Sequence, residues 1–131
     1  MKKILLSLAA LAVASPAMAQ SIIVTGTEDS ASTPLSVAFE ELQAGENKAA
    51  VAKLTDGRVD ARDPSRLINL GTAYARLGRT ADAATAYRSA IDSPIRYDLE
   101  LANGDFMDSR WAARTALARL GQGRPLLALA H

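Results

Sequence analysis

The chain has 131 residues, no cysteine and a single histidine, His131, at its last position. These counts remove disulfide bonds, thiol nucleophiles and any metal site built from several histidines. The 15 basic and 14 acidic residues nearly cancel, whereas a nucleic-acid-binding face needs an excess of basic residues. We therefore expect a non-enzymatic protein with no cofactor, no metal and no nucleic-acid partner.

Residues 1–19 have the order of a secretory signal peptide. Lys2 and Lys3 precede an apolar run over residues 4–14, and Ala17-Met18-Ala19 has the small-x-small form of a cleavage site. The run is too short to span a bilayer, and the alternative is a buried N-terminal helix. Cleavage after Ala19 takes the basic count from 15 to 13 against 14 acids, a net charge of −1. We expect export, a periplasmic location and no integral membrane span in the mature chain.

Residues 20–33 are rich in serine and threonine and are predicted to form a flexible N-terminal arm. Within the arm lies the stretch SIIVTGT, with β-branched residues from Ile22 to Thr25. This stretch resembles the TonB box, a segment of outer-membrane transporters that adds as a strand to an energy-transducing partner. A strand that pairs within the fold is the alternative interpretation.

Residues 34–131 are predicted to form one helical domain, because apolar residues recur there at helical spacing between short turns. The first helix should follow the Thr33 cap and end at Gly45, and the second should follow Asn47. Two longer helices are predicted from Pro64 to Leu77, capped by Asp63, and from Thr80 to just before Pro94. The expected fold class is therefore all-α, built from helix–turn–helix hairpins.

The pattern changes near residues 97–107, where apolar and acidic residues alternate before Asn103-Gly104, a favoured turn pair. This alternation predicts a small β-hairpin inserted among the helices. A last helix should then run from Ser109 to Leu120 and end at Gly121. Trp111 begins the apolar face of that helix and is expected in the core, although a ligand platform is the alternative.

Gly71 lies inside the predicted Pro64–Leu77 helix, where glycine costs about 1 kcal/mol relative to alanine. A close contact with the next helix would offset that cost, because small residues let two backbones approach. Ala83 on the following helix is the expected counterpart of Gly71.

Gly71 also belongs to a longer and more specific pattern of residue spacings over residues 64–94. The residues that form it are Leu67-x2-Leu70-Gly71-x2-Tyr74, then Ala83-x3-Tyr87, then Ala90 and Pro94. The stretch resembles a tetratricopeptide repeat (TPR), a helix–turn–helix unit of about 34 residues. Residues 34–57 keep its rhythm in degenerate form, and "ALARLG" near residue 120 echoes "AYARLG" near residue 77.

The resemblance implies a groove that binds a peptide or a partner segment, lined by the first helix of each pair. On the Pro64–Leu77 helix, the face opposite Leu67, Leu70 and Tyr74 presents polar residues that could bind a peptide backbone or a carboxylate. These candidate groove residues are Ser65, Asn69, Thr72 and Arg76. The predicted function is a protein-binding or peptide-binding module of a bacterial-type cell envelope. The alternative is an assembly component that self-associates or docks on an envelope complex.

Overall fold

The computed structural model describes residues 22–26, 37–58 and 60–128, and over these the chain is mostly helical with one small antiparallel sheet. This confirms the coarse fold class and the predicted hairpin. The elements in chain order are β1 (Val24–Gly26), α1 (Phe39–Gln43), α2 (Asn47–Leu54), α3 (Pro64–Arg76), α4 (Thr80–Asp92), β2 (Asp98–Leu101), β3 (Phe106–Asp108) and α5 (Ser109–Ala128).

The α3–α4 pair follows the sequence signals closely. The Asp63 side chain accepts a hydrogen bond from the Arg66 N–H at 3.0 Å, and Pro64 occupies the first turn of α3. An aspartate cap satisfies one of the N–H groups that a helix start leaves unpaired. The second helix, α4, ends at Asp92 as predicted, although no side chain caps its start.

Gly71 is buried in the interface between α3 and α4, as its position in the sequence predicts. A Cβ atom at this residue would lie 2.5 Å from Cε1 of Tyr87, which is closer than real Cβ contacts. The expected counterpart, Ala83, is not among the nearest atoms. The absence of a side chain at residue 71 therefore makes room for the aromatic ring of Tyr87.

The first helical pair is shorter than predicted. The residue Ala38 has φ 51°, in the left-handed region, and α1 begins only at Phe39. Neither Val37 nor Ala38 belongs to a helix, whereas Pro34, where the helix was expected to start, lies outside the described residues. In α2, Asn47 is the first helical residue and not a cap.

The predicted hairpin is present, and its β2–β3 register pairs Asp98 with Asp108, Leu99 with Met107 and Glu100 with Phe106. Gly104 in the connecting turn has φ +84°, a value that glycine adopts without strain. A third strand extends this hairpin: β1 pairs antiparallel with β2, and the strand order is β1-β2-β3.

The prediction of a flexible arm over residues 20–33 is therefore wrong for residues 22–26, which form a strand within the fold. The β-branched side chains of Ile22, Ile23 and Val24 favour extended backbone and are buried, which offsets the entropy lost on ordering. The rest of that arm and the leader, residues 1–19, lie outside the described residues.

Helix α5 differs from its prediction in length and in orientation. It continues through Gly121, Gly123 and Pro125 to Ala128. Each glycine costs about 1 kcal/mol and an interior proline about 3 kcal/mol relative to alanine, so helix propensity does not explain this extension. Among the described side chains of α5, the buried ones are Ser109, Ala112, Ala113 and Ala116, so this helix packs closely on its neighbours through small side chains. Trp111 lies off that face with 58% of its surface exposed, so its expected place in the core is wrong.

Two clusters of buried apolar residues form the core, and residues 22–24, which lead into β1, contribute to both. Ile22 and Val24 pack in the cluster between α3, α4, α5 and the hairpin, whereas Ile23 packs in the cluster between α1, α2, α3 and α4. Side chains alternate across a strand, so a single extended segment separates the two clusters and fills both. Among the described residues, no helix has the length and apolar character needed to cross a membrane.

Candidate peptide-binding groove on helix α3

The four predicted groove residues all lie on α3, but they are not open to solvent. Ser65, Asn69 and Thr72 are only 2%, 0% and 1% exposed, and Arg76 is half-buried. Their spacing of three and four residues places them along one side of the helix, as expected. The predicted groove face is instead covered by other segments of the same chain.

Asn69 binds the backbone of β1 as a neighbouring strand would. The Val24 N–H donates to Asn69 Oδ1 at 2.8 Å, and Asn69 Nδ2 donates to the Val24 carbonyl at 2.9 Å. A carboxamide offers the same donor and acceptor as a peptide group, so it can pair with both backbone groups of one residue. The free edge of β1 is thereby closed by a side chain of α3.

The same carboxamide also holds the chain just before α1. Asn69 Nδ2 donates a second hydrogen bond to the Val37 carbonyl at 2.7 Å. Both N–H donors and the oxygen of Asn69 are therefore used, and three backbone groups of two separate segments depend on one buried side chain.

Thr72 extends this contact by one turn of the helix. Its Oγ1 donates to the Ile22 carbonyl at 2.7 Å and lies 3.2 Å from the Tyr87 hydroxyl. Burial raises the pKa of Tyr87, while its hydrogen bond with Thr72 and the nearby Arg76 charge act in the opposite direction. The ring that fills the space over Gly71 is thus also fixed through its hydroxyl to the residue that holds β1.

The other edge of β1 pairs with the hairpin. The Ala102 N–H donates to the Ile23 carbonyl at 3.0 Å. Because both backbone groups of Val24 bind Asn69, they point away from β2, and the facing residues Val24 and Leu101 form a non-hydrogen-bonded pair. The segment is therefore held from both sides, by main chain of β2 and by side chains of α3.

Arg76 and Ser65 contact other parts of the chain. Arg76 Nη1 donates to the Leu42 carbonyl at 2.7 Å, near the end of α1, which is a backbone acceptor and not the predicted carboxylate. Ser65 Oγ lies 2.7 Å from the hydroxyl of Tyr97, which precedes β2. Of these four residues, Asn69 and Thr72 lie together on the extended segment formed by residues 22–24.

Tyr97 connects the hairpin to the start of α3. Its hydroxyl donates to Asp63 Oδ2 at 2.9 Å, so the Ser65 hydroxyl is the donor to the phenol oxygen. Burial raises the pKa of Tyr97 to about 12, and the Asp63 carboxylate contributes in the same direction. Asp63 therefore serves two elements, because its other oxygen caps α3.

Sequence patterns identify only some of the residues that complete the site. The β-branched run of Ile22, Ile23 and Val24 was a usable signal, because three such residues in a row favour a strand. The contributions of Val37 and Leu42 are backbone carbonyls, for which the sequence carries no signal. In the part of the chain that the structure describes, no three histidine, cysteine or acidic side chains are grouped to hold a metal ion.

Comparisons of the chain with protein-family models, with curated proteins and with solved structures give no match.

Proposed function

We propose that this chain is a non-catalytic, TPR-like module that binds an extended segment of a protein partner along α3. The observation that carries the proposal is the pair of hydrogen bonds between the Asn69 carboxamide and the Val24 backbone. These two hydrogen bonds are of the kind that a protein uses to bind an extended peptide, and here they join α3 to a segment of the same chain.

The contacts favour a defined class of ligand. Hydrogen bonds from Asn69, Thr72 and Ala102 reach only backbone atoms of the bound segment, so they accept many sequences. Selectivity comes from the apolar spaces on its two faces, which hold Ile22 and Val24 on one side and Ile23 on the other. The preferred ligand is an extended segment of three consecutive bulky aliphatic residues. Its binding would be a form of strand addition.

The TPR-like interpretation is supported by the α3–α4 pair. Two helices, Pro64–Arg76 and Thr80–Asp92, are joined by a short turn and meet closely at Gly71. The residues that bind the extended segment lie on the first helix of this pair, where the family resemblance places a ligand groove.

Export to the periplasm is part of the proposal and is supported by the leader. Lys2, Lys3, the apolar run over residues 4–14 and Ala17-Met18-Ala19 have the order that secretion requires. Cleavage after Ala19 would leave two residues, Gln20 and Ser21, before the bound segment that begins at Ile22.

A labelled peptide tests the binding site. The probe is a fluorescent peptide of residues 20–29, QSIIVTGTED, and the protein is a Val24→Cys/Leu101→Cys double variant of the full chain. These two positions face each other in a non-hydrogen-bonded pair, whose Cα separation of about 4.5 Å suits a disulfide. We expect saturable binding to the reduced protein and none to the oxidised protein, in which the disulfide keeps the chain's own strand in place.

A control peptide with proline at the Val24 position lacks the N–H that Asn69 accepts. Loss of one buried hydrogen bond costs about 1–3 kcal/mol, so this peptide should bind about tenfold more weakly or worse. Equal binding of the two peptides, or equal binding to the oxidised and reduced proteins, would contradict the proposed site.

A further inference from the structure

We propose that copies of this chain exchange residues 22–26, so that β1 of one copy fills the α3 groove of another. The inference rests on the proposed strand-binding site and names a second copy of the chain as the partner. It would give the module a means of self-association in which each copy supplies both the ligand and the groove.

The groove cannot remain empty at low cost. Ile22, Ile23 and Val24 are 6%, 8% and 0% exposed, and they complete two separate apolar clusters. Withdrawal of β1 opens both clusters to water at once and leaves the Asn69 carboxamide without its strand. A strand must therefore occupy the α3 groove again, and the N-terminal segment of any copy of the chain can do so.

A strand from a second copy makes the same contacts as the chain's own. The partners of β1 are Asn69 and Thr72 on α3 and Ala102 after β2, all outside the exchanged segment. Identical residues are present in every copy, so the hydrogen bonds and the apolar burial are conserved on exchange. Exchange of an identical element is a low-cost route to a dimer for this reason.

The position of β1 in the chain permits the exchange. It precedes every described helix in the chain, and residues 27–36 separate it from the next described residue, Val37. At about 3.3 Å per residue, a link of this length reaches about 30 Å when extended. A cavity of about 430 Å³ borders Ile22 and Ile23, which gives open space beside the first residues of the bound segment.

The link also sets the concentration at which exchange matters. A short tether keeps the chain's own strand at an effective concentration of the order of millimolar. Exchanged dimers are therefore a minor species in dilute solution, and their fraction rises with protein concentration. An irreversible trap is needed to detect them.

Disulfide trapping between two single-cysteine variants provides that trap, because the natural chain has no cysteine. Full-length Val24→Cys protein is mixed with Leu101→Cys protein under mild oxidation, and the dimer is measured by non-reducing electrophoresis and mass. The two cysteines meet only when β1 of one copy lies in the groove of the other. We expect the mixed dimer to form, with an initial rate per chain that rises about tenfold for a tenfold rise in concentration.

The matched control pairs Val24→Cys with Glu100→Cys, the neighbouring residue of β2, whose side chain points to the opposite face of the sheet. This pair should cross-link at the rate of random collision. Mixed Val24–Leu101 dimer that forms no faster than this control would overturn the exchange.

A wild-type measurement avoids any effect of the substitutions on folding. Isotope-labelled and unlabelled chains are mixed at millimolar concentration, and contacts between Val24 of one copy and Leu101 of the other are sought by filtered nuclear Overhauser spectroscopy. Such contacts support exchange, and their absence after equilibration overturns it. If the peptide of residues 20–29 binds but copies do not exchange, only this inference fails; if the peptide does not bind, the proposed site fails first.

Discussion

Helix α3 makes two very different contacts on its two sides. Toward α4 it offers Gly71, and the contact is a steric fit between bare backbone and the ring of Tyr87. Toward β1 it offers Asn69 and Thr72, and the contact is a set of hydrogen bonds to the backbone of another segment. A polar helix face is therefore not always a solvated surface, because buried amides and hydroxyls can bind a strand.

Removing the carboxamide should have the largest effect. An Asn69→Ala substitution leaves the Val24 N–H and the Val24 and Val37 carbonyls without their partner in a buried site. Each unsatisfied buried group costs about 1–3 kcal/mol, so we expect a loss of about 3–5 kcal/mol in the free energy of unfolding by urea titration. The exposed Ser89→Ala variant on α4 is the control and should change stability by less than about 0.5 kcal/mol. A loss below about 1 kcal/mol at Asn69 would show that this side chain does not hold the strand.

Filling the space at Gly71 tests the steric side of α3. A Gly71→Ala substitution gains helix propensity but places a Cβ 2.5 Å from the buried Tyr87 ring, so we expect a net loss of about 2 kcal/mol. Gly121→Ala is the matched control, because this helical glycine has no atom within 4 Å of an added Cβ. It should stabilise the protein by about 0.5–1 kcal/mol. Stabilisation by both substitutions in thermal melts would contradict the close contact.

Thr72→Val keeps the shape of the side chain and removes its hydroxyl. The Ile22 carbonyl then loses its donor, and we expect a loss of about 1–2 kcal/mol in chemical denaturation. Thr85, whose hydroxyl bonds within its own helix and is exposed, supplies the control. If Thr72→Val and Thr85→Val have the same effect, the hydroxyl of Thr72 contributes nothing specific to strand binding.

The smallest expected effect concerns pH and the hairpin attachment. The pKa of Tyr97 is raised to about 12 in the folded chain, above an ordinary value of 10.0. Its contribution to stability is therefore complete below pH 10 and is lost as the pH rises from about 10 to about 12. Burial raises the pKa of Tyr87 as well, so both groups act in one direction. Tyr97→Phe should flatten this decline in denaturation curves, and an unchanged decline would remove the assignment to Tyr97.

Much of the helical part could be predicted from local signals. Asp63-Pro64, Gly78 and Pro94 mark the ends of α3 and α4, and Asn103-Gly104 marks the hairpin turn, because capping and turn preferences act over a few residues. Gly71 was interpretable for the same reason, although its partner, the Tyr87 ring, was not.

The docking of β1 could not be derived in this way. It joins residues 45 positions apart, Val24 and Asn69, through backbone atoms that have no signature in the sequence. The prediction that Trp111 lies in the core is wrong for a related reason. Helical periodicity identified an apolar face on α5 that begins at Trp111, but the buried apolar residues of this helix are Ala112, Ala113 and Ala116. Long-range contacts decide which face is buried, and local patterns do not contain them.

Hydrogen exchange of the Val24 amide tests most directly whether α3 binds residues 22–24 as a strand. In the full-length wild-type protein, this N–H is bonded to Asn69 Oδ1 and buried, so it should exchange at least about a hundredfold more slowly than in the free peptide QSIIVTGTED. The Asn69→Ala variant should lose most of this protection, and a larger share of it than the amides of α4 lose. A Val24 amide that exchanges at the free-peptide rate in the wild-type protein would contradict strand binding by α3.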